Sequence, residues 1–170
     1  METPFINKVA ESGLITLDLA EYYPKEGEII AFDLKPFLFM EMILKEKDYR
    51  QSLKDHDWEQ YSRKIVAVHC SADAIIPVWA YMLASSYLTP VSKAVVLGSP
   101  EEAREKMFAR NLQQIDPENF ANERVVLKGC GETPISESAY LEATSLLRPV
   151  VKSIMYGEPC STVPIFKRRD

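Results

Sequence analysis

A strand followed by a helix recurs three times in the second half of the chain, and this recurrence constrains the fold most strongly. The strand-like runs begin at Lys64, Lys93 and Arg124, roughly 30 residues apart, which is the length of one β-α-β unit. The runs are almost continuously apolar, as in parallel sheets that are covered on both faces. The sequence therefore predicts an α/β protein with a three-layer core, in which a mostly parallel sheet carries helices on both faces.

The helices that follow these strands have recognisable start signals. Ser99 precedes Pro100 and stands three positions before Glu102, and this spacing predicts a capping box with proline at the first helical position. Ser136 is the expected N-cap of the helix that follows the third strand. Both signals place a helix directly after a strand, as the α/β pattern requires.

The segment from Ala74 to Ser92 carries no charge, which raises the question of a membrane span. Its length approaches the roughly 20 residues that a bilayer requires. Pro77 and Pro90 interrupt or end the run, and its flanks lack the basic asymmetry of a membrane anchor. We interpret the segment as a core helix and expect no membrane partner.

The N-terminal part gives weaker signals. Leu14 to Leu19 alternates in the manner of a strand. Gly27 to Phe39 is predicted to be a second strand that runs into a turn at Pro36. A helix is expected from Phe39 to Trp58, because apolar residues occupy one side of a helical projection and charges the other.

We expect one domain over residues 1–170, in which an N-terminal α+β extension (1–63) packs on an α/β core (64–170). No linker or low-complexity segment divides the chain. The likeness of the runs AVVLGS and VVLKGC is interpreted as shared strand chemistry rather than as a duplicated domain.

Composition and charge exclude several classes of function. The net charge is −5 and the only basic cluster is Lys167 to Arg169, so nucleic acid is not expected as a partner. No glycine-rich phosphate loop follows any strand, so no nucleotide cofactor is expected. The chain has three cysteines, an odd number, and no leader-like N-terminus. These features favour a cytoplasmic protein without a disulfide framework.

Two of the three cysteines occupy equivalent places, where a strand gives way to a helix. Cys70 ends the first strand of the α/β part and Cys130 ends the third. In a doubly wound sheet the first and third strands are commonly neighbours, and ligands bind beyond their carboxyl ends. Each cysteine also precedes a helix N-terminus, which favours the thiolate. We therefore expect Cys70 and Cys130 to lie side by side.

Thiolates at the end of a sheet suit a soft metal ion. Asp73 lies in the turn after Cys70, and the remaining cysteine follows a glycine, a glutamate and a proline near the C-terminus. Four such ligands would hold zinc or an iron–sulfur cluster. The candidate metal ligands are Cys70, Asp73, Cys130 and Cys160.

One geometric objection concerns Cys160. An unbroken helix from Ser136 to Tyr156 would carry the chain about 30 Å away from Cys130. Pro149 offers a break that would let the following segment fold back. A second subunit that supplies Cys160 is the other solution.

Two alternatives to a metal site remain open. The cysteines fit equally well as buried apolar residues of a metal-free interaction module, with Phe37 to Leu44 as an apolar helix that forms a homodimer face. A thiol enzyme that uses Cys70 or Cys130 is the weaker alternative. His56, between two aspartates, is expected to be exposed.

Several segments resemble the uncharacterised bacterial family "domain of unknown function 2480". The most specific are CSADAIIPVWAYM and AYLEATSLLRPVVKSIMYGEPCSTVPIFKR, and FDLKPFLF, HDWEQY and LKGC extend the resemblance over nearly the whole chain. The resemblance implies a cytoplasmic single-domain protein without an assigned activity. It also implies iron–sulfur assembly proteins as partners, because genes of such proteins are sometimes found beside those for cluster assembly. We therefore expect an accessory protein that binds zinc or an iron–sulfur cluster.

Overall fold

The structure is a computed structural model that describes the backbone of residues 7–9 and all of residues 13–129, 131–158 and 160–169. The chain divides into two compact units. The central unit is Pro24–Met107, and the terminal unit combines Met1–Tyr23 with Phe108–Asp170. The expected single domain, with residues 1–63 as an extension, stays a prediction.

Ten strands and four α-helices are present in the described residues, with short 3-10 turns between them. The strands are β1 (Asn7–Val9), β2 (Leu14–Leu17), β3 (Ile29–Asp33), β4 (Leu38–Phe39), β5 (Ile43–Leu44), β6 (Ile65–His69), β7 (Ala94–Leu97), β8 (Arg124–Lys128), β9 (Ser153–Glu158) and β10 (Ser161–Lys167). The helices are α1 (Glu46–Lys54), α2 (Val78–Leu88), α3 (Pro100–Leu112) and α4 (Glu137–Leu147).

The strands form mostly parallel sheets, which confirms the predicted α/β class. In the central unit, β3, β6 and β7 pair in that order and are all parallel. In the terminal unit, β2, β8 and β9 are parallel, and β1 and β10 join their edges in antiparallel pairs. The strand that begins at Lys64 and the strand that begins at Arg124 therefore belong to different sheets, and the expected adjacency of β6 and β8 is wrong.

The middle strand of each parallel set is buried. Val66 and Val68 of β6 enter one hydrophobic cluster, whereas Ile65 and Ala67 enter another. Because successive side chains of a strand point to opposite sides, β6 is covered on both faces. In β8 the residues from Val125 to Leu127 are also fully buried.

The predicted start of α3 agrees with the structure, whereas α2 is shorter than the sequence suggested. The capping box is confirmed, because the Glu102 N–H donates to Ser99 Oγ (3.2 Å) and the Ser99 N–H donates to Glu102 Oε2 (2.8 Å). Helix α2 is shorter than its uncharged segment and buries only one face, through Ala80, Ala84 and Leu88. None of the described helices is long and apolar enough to cross a membrane.

The expected helix from Phe39 to Trp58 is wrong over its first turns. A short hairpin, β4–β5, occupies residues 38–44, and α1 begins only at Glu46. Met40 and Glu41 both have positive φ angles, and the Met42 N–H donates to the Phe39 carbonyl oxygen (3.1 Å). These are features of the primed turns that close tight hairpins.

His56 is half-buried in an aromatic cluster, which corrects the expected exposure. Its ring packs against Trp58 with 4.7 Å between ring centroids, and its Nε2 lies 3.2 Å from Tyr61 Oη. Burial lowers the pKa of His56, although the charge of Asp57 acts in the opposite direction.

The two units repeat one structural pattern at a constant shift of 59 positions, as from Pro90 to Pro149. The strands β6, β7 and the helix α2 of the central unit correspond to β8, β9 and α4 of the terminal unit. The backbone follows the same path, since the N–H groups of Arg63 and Asn122, both with positive φ, donate to the carbonyl oxygens of Val91 and Val150. The runs AVVLGS and VVLKGC do not occupy equivalent positions in this repeat.

The repeat extends to the buried side chains. The same small-small-large series lines the inner face of each helix, as Ala80, Ala84 and Leu88 in α2 and as Ala139, Ala143 and Leu147 in α4. Alanine at the first two positions lets each helix approach its sheet closely. The helices α2 and α4 are thus packed through the same pattern of buried residues.

Enlarging the central alanine of either series will destabilise the protein. We expect Ala84→Leu and Ala143→Leu each to lower the free energy of unfolding by about 1–3 kcal/mol, because both sites are fully packed. Urea unfolding of the full chain measures the change. Met82→Leu, at a 67% exposed position of α2, is the control. Tolerance of leucine at either alanine would contradict the equivalence of the two helices.

Candidate functional site

The carboxyl ends of β3 and β6 bring polar residues together in the central unit. Asp33 is paired with His69 in the parallel register, and Ser71 follows two residues later. Asp33 Oδ2 accepts a hydrogen bond from Ser71 Oγ (2.5 Å), and its Oδ1 accepts from the N–H groups of Ser71 and Lys35 (2.9 Å each). The carboxylate therefore ties together the loops that leave two neighbouring strands.

The pKa of Asp33 reflects these contacts. Burial would raise the pKa, but the hydrogen bonds from Ser71 and from the Lys35 N–H, together with the nearby His69, lower it below the usual value for aspartate. Asp33 is thus ionised at neutral pH and serves as an acceptor that holds the two loops.

Two of the proposed metal ligands also lie at this end of the central unit. Cys70 follows β6, is half-buried, and donates from Sγ to the Ala72 carbonyl oxygen (3.6 Å). Asp73 is exposed in the loop that leads to α2. Burial, and then the charge of Cys70, raise the pKa of the Tyr81 hydroxyl in α2.

The other two proposed ligands belong to the terminal unit. Cys160 is exposed in the turn between β9 and β10. Helix α4 ends at Leu147, before Pro149, and β9 runs parallel to β8, so Cys160 follows the carboxyl end of its strand. The break expected at Pro149 is confirmed. Cys130 lies outside the described residues.

The geometry of a four-ligand metal centre is not found in the part of the chain that the structure describes. No group of three or more histidine, cysteine, aspartate or glutamate side chains there is arranged to hold a metal ion. The expected juxtaposition of Cys70 and Cys130 depended on neighbouring strands, and β6 and β8 are in different sheets. The metal hypothesis therefore stays a prediction without this geometric support.

Large apolar side chains are exposed where the chain leaves the three strands of the central unit. Because β3, β6 and β7 are parallel, their carboxyl ends meet at one edge of the sheet. The hairpin β4–β5 follows β3, the start of α2 follows β6, and Leu97 ends β7. We call these side chains the apolar edge; they are between 47% and 94% exposed: Phe39, Met40, Met42, Ile43, Ile75, Val78, Met82 and Leu97.

The corresponding end of the terminal unit contains a cavity of about 320 Å³, which we call the terminal cavity. Asp18 follows β2 and Lys128 ends β8, and Lys128 Nζ lies 2.5 Å from Asp18 Oδ2. Tyr140 Oη donates to the Lys128 carbonyl oxygen (2.8 Å), and Tyr156 Oη donates to that of Gly129 (3.2 Å). Among the described residues, the cavity is also lined by Ala20, Gly131, Thr133, Pro134 and Ile135.

The predicted site residues do not include Asp33, Asp18 or Lys128, although the sequence contains a signal for the two aspartates. Both aspartates stand in the same short pattern, an apolar strand followed by aspartate and leucine, in TLDL and AFDL. Each accepts a hydrogen bond at Oδ1 from the N–H group two residues later. The shared pattern indicates an acid at the carboxyl end of β2 in the terminal unit and of β3 in the central unit.

A model of a protein family matches nearly the whole chain. The model described as "Protein of unknown function (DUF2480)" matches residues 3–168. The chain belongs to this family. Searches of curated proteins and of solved structures gave no match. The DUF2480 assignment therefore identifies the family of this chain and assigns no reaction or ligand to the residues above.

Replacing Asp33 will destabilise the protein in a pH-dependent way. We expect Asp33→Asn to lower the free energy of unfolding by about 1 kcal/mol at neutral pH, a modest loss because the carboxylate is partly exposed to water. The folded-state pKa lies below the usual 3.8, so the stabilisation is fully present above that pH and is lost as pH falls through the folded-state value.

Urea unfolding at neutral and acidic pH measures this difference. Asp73→Asn, at an exposed position of the same loop, is the matched control and is expected to change stability by less than about 0.5 kcal/mol. Equal stability of Asp33→Asn and the wild type at neutral pH would contradict the anchoring role, as would a deficit that persists unchanged in acid.

Proposed function

We propose that this protein is a cytoplasmic, non-enzymatic interaction module whose partner docks on the apolar edge of the central unit. The observation that carries the proposal is the concentration of exposed apolar side chains beyond the carboxyl ends of β3, β6 and β7. In α/β sheets this edge is where ligands and partners commonly bind, because the loops there vary without disturbing the core.

The extent of the apolar edge supports a protein partner. At roughly 200 Å² for a fully exposed large side chain, the edge offers on the order of 1,000 Å² of surface, compared with about 800 Å² that each partner buries in a standard interface. Three methionines in the edge provide flexible side chains that adapt to a partner surface.

The polar residues at the same edge hold the loops in position, and we assign them no catalytic role. Asp33 uses both carboxylate oxygens to hold Ser71 and Lys35. Lys45 Nζ lies 3.4 Å from the centroid of the Phe39 ring and fixes one side of the hairpin. These contacts present the hairpin and the loop before α2 as a preformed surface.

The partner that we propose is a protein of iron–sulfur cluster assembly, which is the expectation drawn from the family resemblance. A second copy of the chain is the alternative occupant. The hairpin that replaces the expected helix still exposes Phe39, Met40, Met42 and Ile43, the residues on which the homodimer hypothesis depended.

Photo-crosslinking in the producing cell tests this proposal. With benzoylphenylalanine at Met42, which is 66% exposed, we expect a discrete adduct with one partner protein. The same amino acid at Leu141, which is 71% exposed in the terminal unit, is the matched control and is expected to give none. Ile75→Glu, which places a charge in the edge, is expected to reduce the adduct at least about tenfold.

An adduct of twice the mass of the chain would identify a second copy as the occupant of the apolar edge. No adduct at Met42, or equal adducts at Met42 and Leu141, would contradict the proposal.

A metal-binding accessory function is the second candidate. The observation in its favour is that Cys160 is exposed at the carboxyl end of β9, because the chain turns back after Pro149. Zinc or an iron–sulfur cluster held by Cys70, Asp73, Cys130 and Cys160 would make the protein a carrier rather than a docking module.

Elemental analysis with an absorption spectrum distinguishes the carrier from the docking module. Protein purified without oxygen and without chelator is expected to contain near-stoichiometric zinc or iron if the carrier hypothesis holds, and Cys70→Ser and Cys130→Ser should each remove it. Ser71→Ala, beside Cys70 but without a thiol, is the control. Colourless, metal-free wild-type protein would eliminate this candidate.

A further inference from the structure

Basic side chains of the terminal unit collect at one end of its sheet, where β8 and β9 begin and β10 ends. Arg124 of β8 is paired with Ser153 of β9, and Ser153 is paired with Lys167 of β10. Helix α4 ends nearby, because the loop that follows it leads directly into β9. We call this group the basic end, and its members are Arg124, Arg148, Lys152, Lys167, Arg168 and Arg169.

Arg168 fixes the backbone at the basic end. Its N–H donates to the Lys152 carbonyl oxygen (2.9 Å), which continues the pairing of β10 with the chain before β9. Its guanidinium donates to the carbonyl oxygens of Pro149 (3.2 Å) and Val150 (3.1 Å) and to Asn122 Oδ1 (2.9 Å). Arg168 therefore ties the end of β10 to the loop that follows α4, and its own hydrogen bonds are made within the chain.

Four other cations of the basic end are exposed to solvent: Arg148, Lys152, Lys167 and Arg169. Arg148 Cζ lies 4.6 Å from the centroid of the Phe166 ring, and this contact holds its guanidinium over β10. Within the described residues, none of the four forms an ion pair with a carboxylate. Cations that are gathered without counter-charges repel one another, and an anionic partner would relieve that repulsion.

Acidic residues at the same end reduce this positive charge without cancelling it. The segment that leads into β8 carries Asp116, Glu118 and Glu123, which are fewer than the cations. Asp116 is engaged locally, since its Oδ1 accepts from the Glu118 N–H (3.1 Å). The chain as a whole has a net charge of −5. The basic end is therefore a local positive region on an acidic protein.

This charge distribution favours a short acidic protein segment over a nucleic acid. A DNA duplex carries about one charge per 1.7 Å, and it would extend from the basic end over the acidic remainder of the surface. Bases also bind by stacking on exposed aromatic rings. Among the described residues, the large exposed aromatic side chains are Phe39, in the central unit, and Tyr156, towards the carboxyl end of β9. Neither belongs to the basic end.

We propose that the basic end binds an acidic segment of a partner protein, whose carboxylates pair with Arg148, Lys152, Lys167 and Arg169. Arg168 is a positioning residue that holds the strand end on which two of these cations stand. The sheet and the loop after α4 present the cations on a preformed surface, which lowers the entropy lost on binding. Neither the apolar edge nor the cysteines take part, so this inference does not depend on the proposed function.

Fluorescence anisotropy of the full chain with a labelled decaglutamate peptide tests the proposal. We expect the peptide to bind at an ionic strength of about 0.01 M and to bind at least about tenfold more weakly at about 0.15 M, because the Debye length falls from about 30 Å to about 8 Å. A labelled DNA duplex of about 20 base pairs is expected to bind at least about tenfold more weakly than the peptide at the lower ionic strength.

Two double variants of equal net charge locate the surface. Lys152→Glu with Lys167→Glu is expected to weaken peptide binding at least about tenfold, because two attractive contacts become repulsive. Lys47→Glu with Lys54→Glu, at exposed positions of α1 in the central unit, is the matched control and is expected to change binding less than about twofold. If the first variant fails to fold by circular dichroism, Lys152→Gln with Lys167→Gln provides the same test.

Absence of peptide binding by the wild type at low ionic strength would overturn the proposal. Equal losses in the two double variants would also overturn it, because binding would then follow the net charge rather than the basic end. Binding of the DNA duplex as tightly as the peptide would contradict the assignment to a protein segment and identify a nucleic acid as the partner.

Discussion

Burial of the middle strand on both faces is the constraint on which each unit depends. Val66 and Ala67 in β6, and Val125 and Val126 in β8, are fully buried. A parallel strand covered in this way has no room for polar side chains along its length. Polar and exposed residues are therefore confined to the strand ends, and the apolar edge and the terminal cavity both lie beyond the carboxyl ends.

The two units share the same arrangement of strands and helices and differ beyond the carboxyl ends of their parallel strands. The helices α2 and α4 bury the same series of two alanines and a leucine. At the edge, however, Ile75 and Val78 correspond to Pro134 and Glu137. The central unit thus presents an apolar surface where the terminal unit has a polar cavity. A repeated core with diverged loops explains how one short chain carries two different surfaces.

The sequence predicted the core strands and the start of α3, because local residue patterns encode them. Apolar runs gave β6, β7 and β8, and the spacing of Ser99 and Glu102 gave the start of α3. Strand partners could not be predicted in the same way. The strand β8 pairs with β2 from the N-terminus, a contact between segments that are far apart in sequence. The expected adjacency of β6 and β8, from which the sequence argument placed Cys70 beside Cys130, was wrong for this reason.

The hairpin and the repeat were missed for physical reasons of their own. Phe39, Met42 and Ile43 have helical spacing, but the positive φ angles of Met40 and Glu41 turn the chain too early. The repeat is clearest in the helices, whose inner faces carry the matching alanines, whereas the runs AVVLGS and VVLKGC do not occupy equivalent positions in it. The predicted ligands were chosen by residue type and by their place after a strand. The contacts of Asp18 with Lys128 and of Asp33 with Ser71 depend instead on which strands are neighbours.

Methionine footprinting tests the central claim, that the apolar edge is a binding surface which is covered in the cell. Brief peroxide oxidation, read by mass spectrometry, is applied to purified protein and to the protein inside the cell that makes it. Met40 and Met42 are expected to oxidise rapidly in isolation and to be protected in the cell, with the buried Met107 slow in both. Equal rapid oxidation of Met40 and Met42 in both settings would contradict the account.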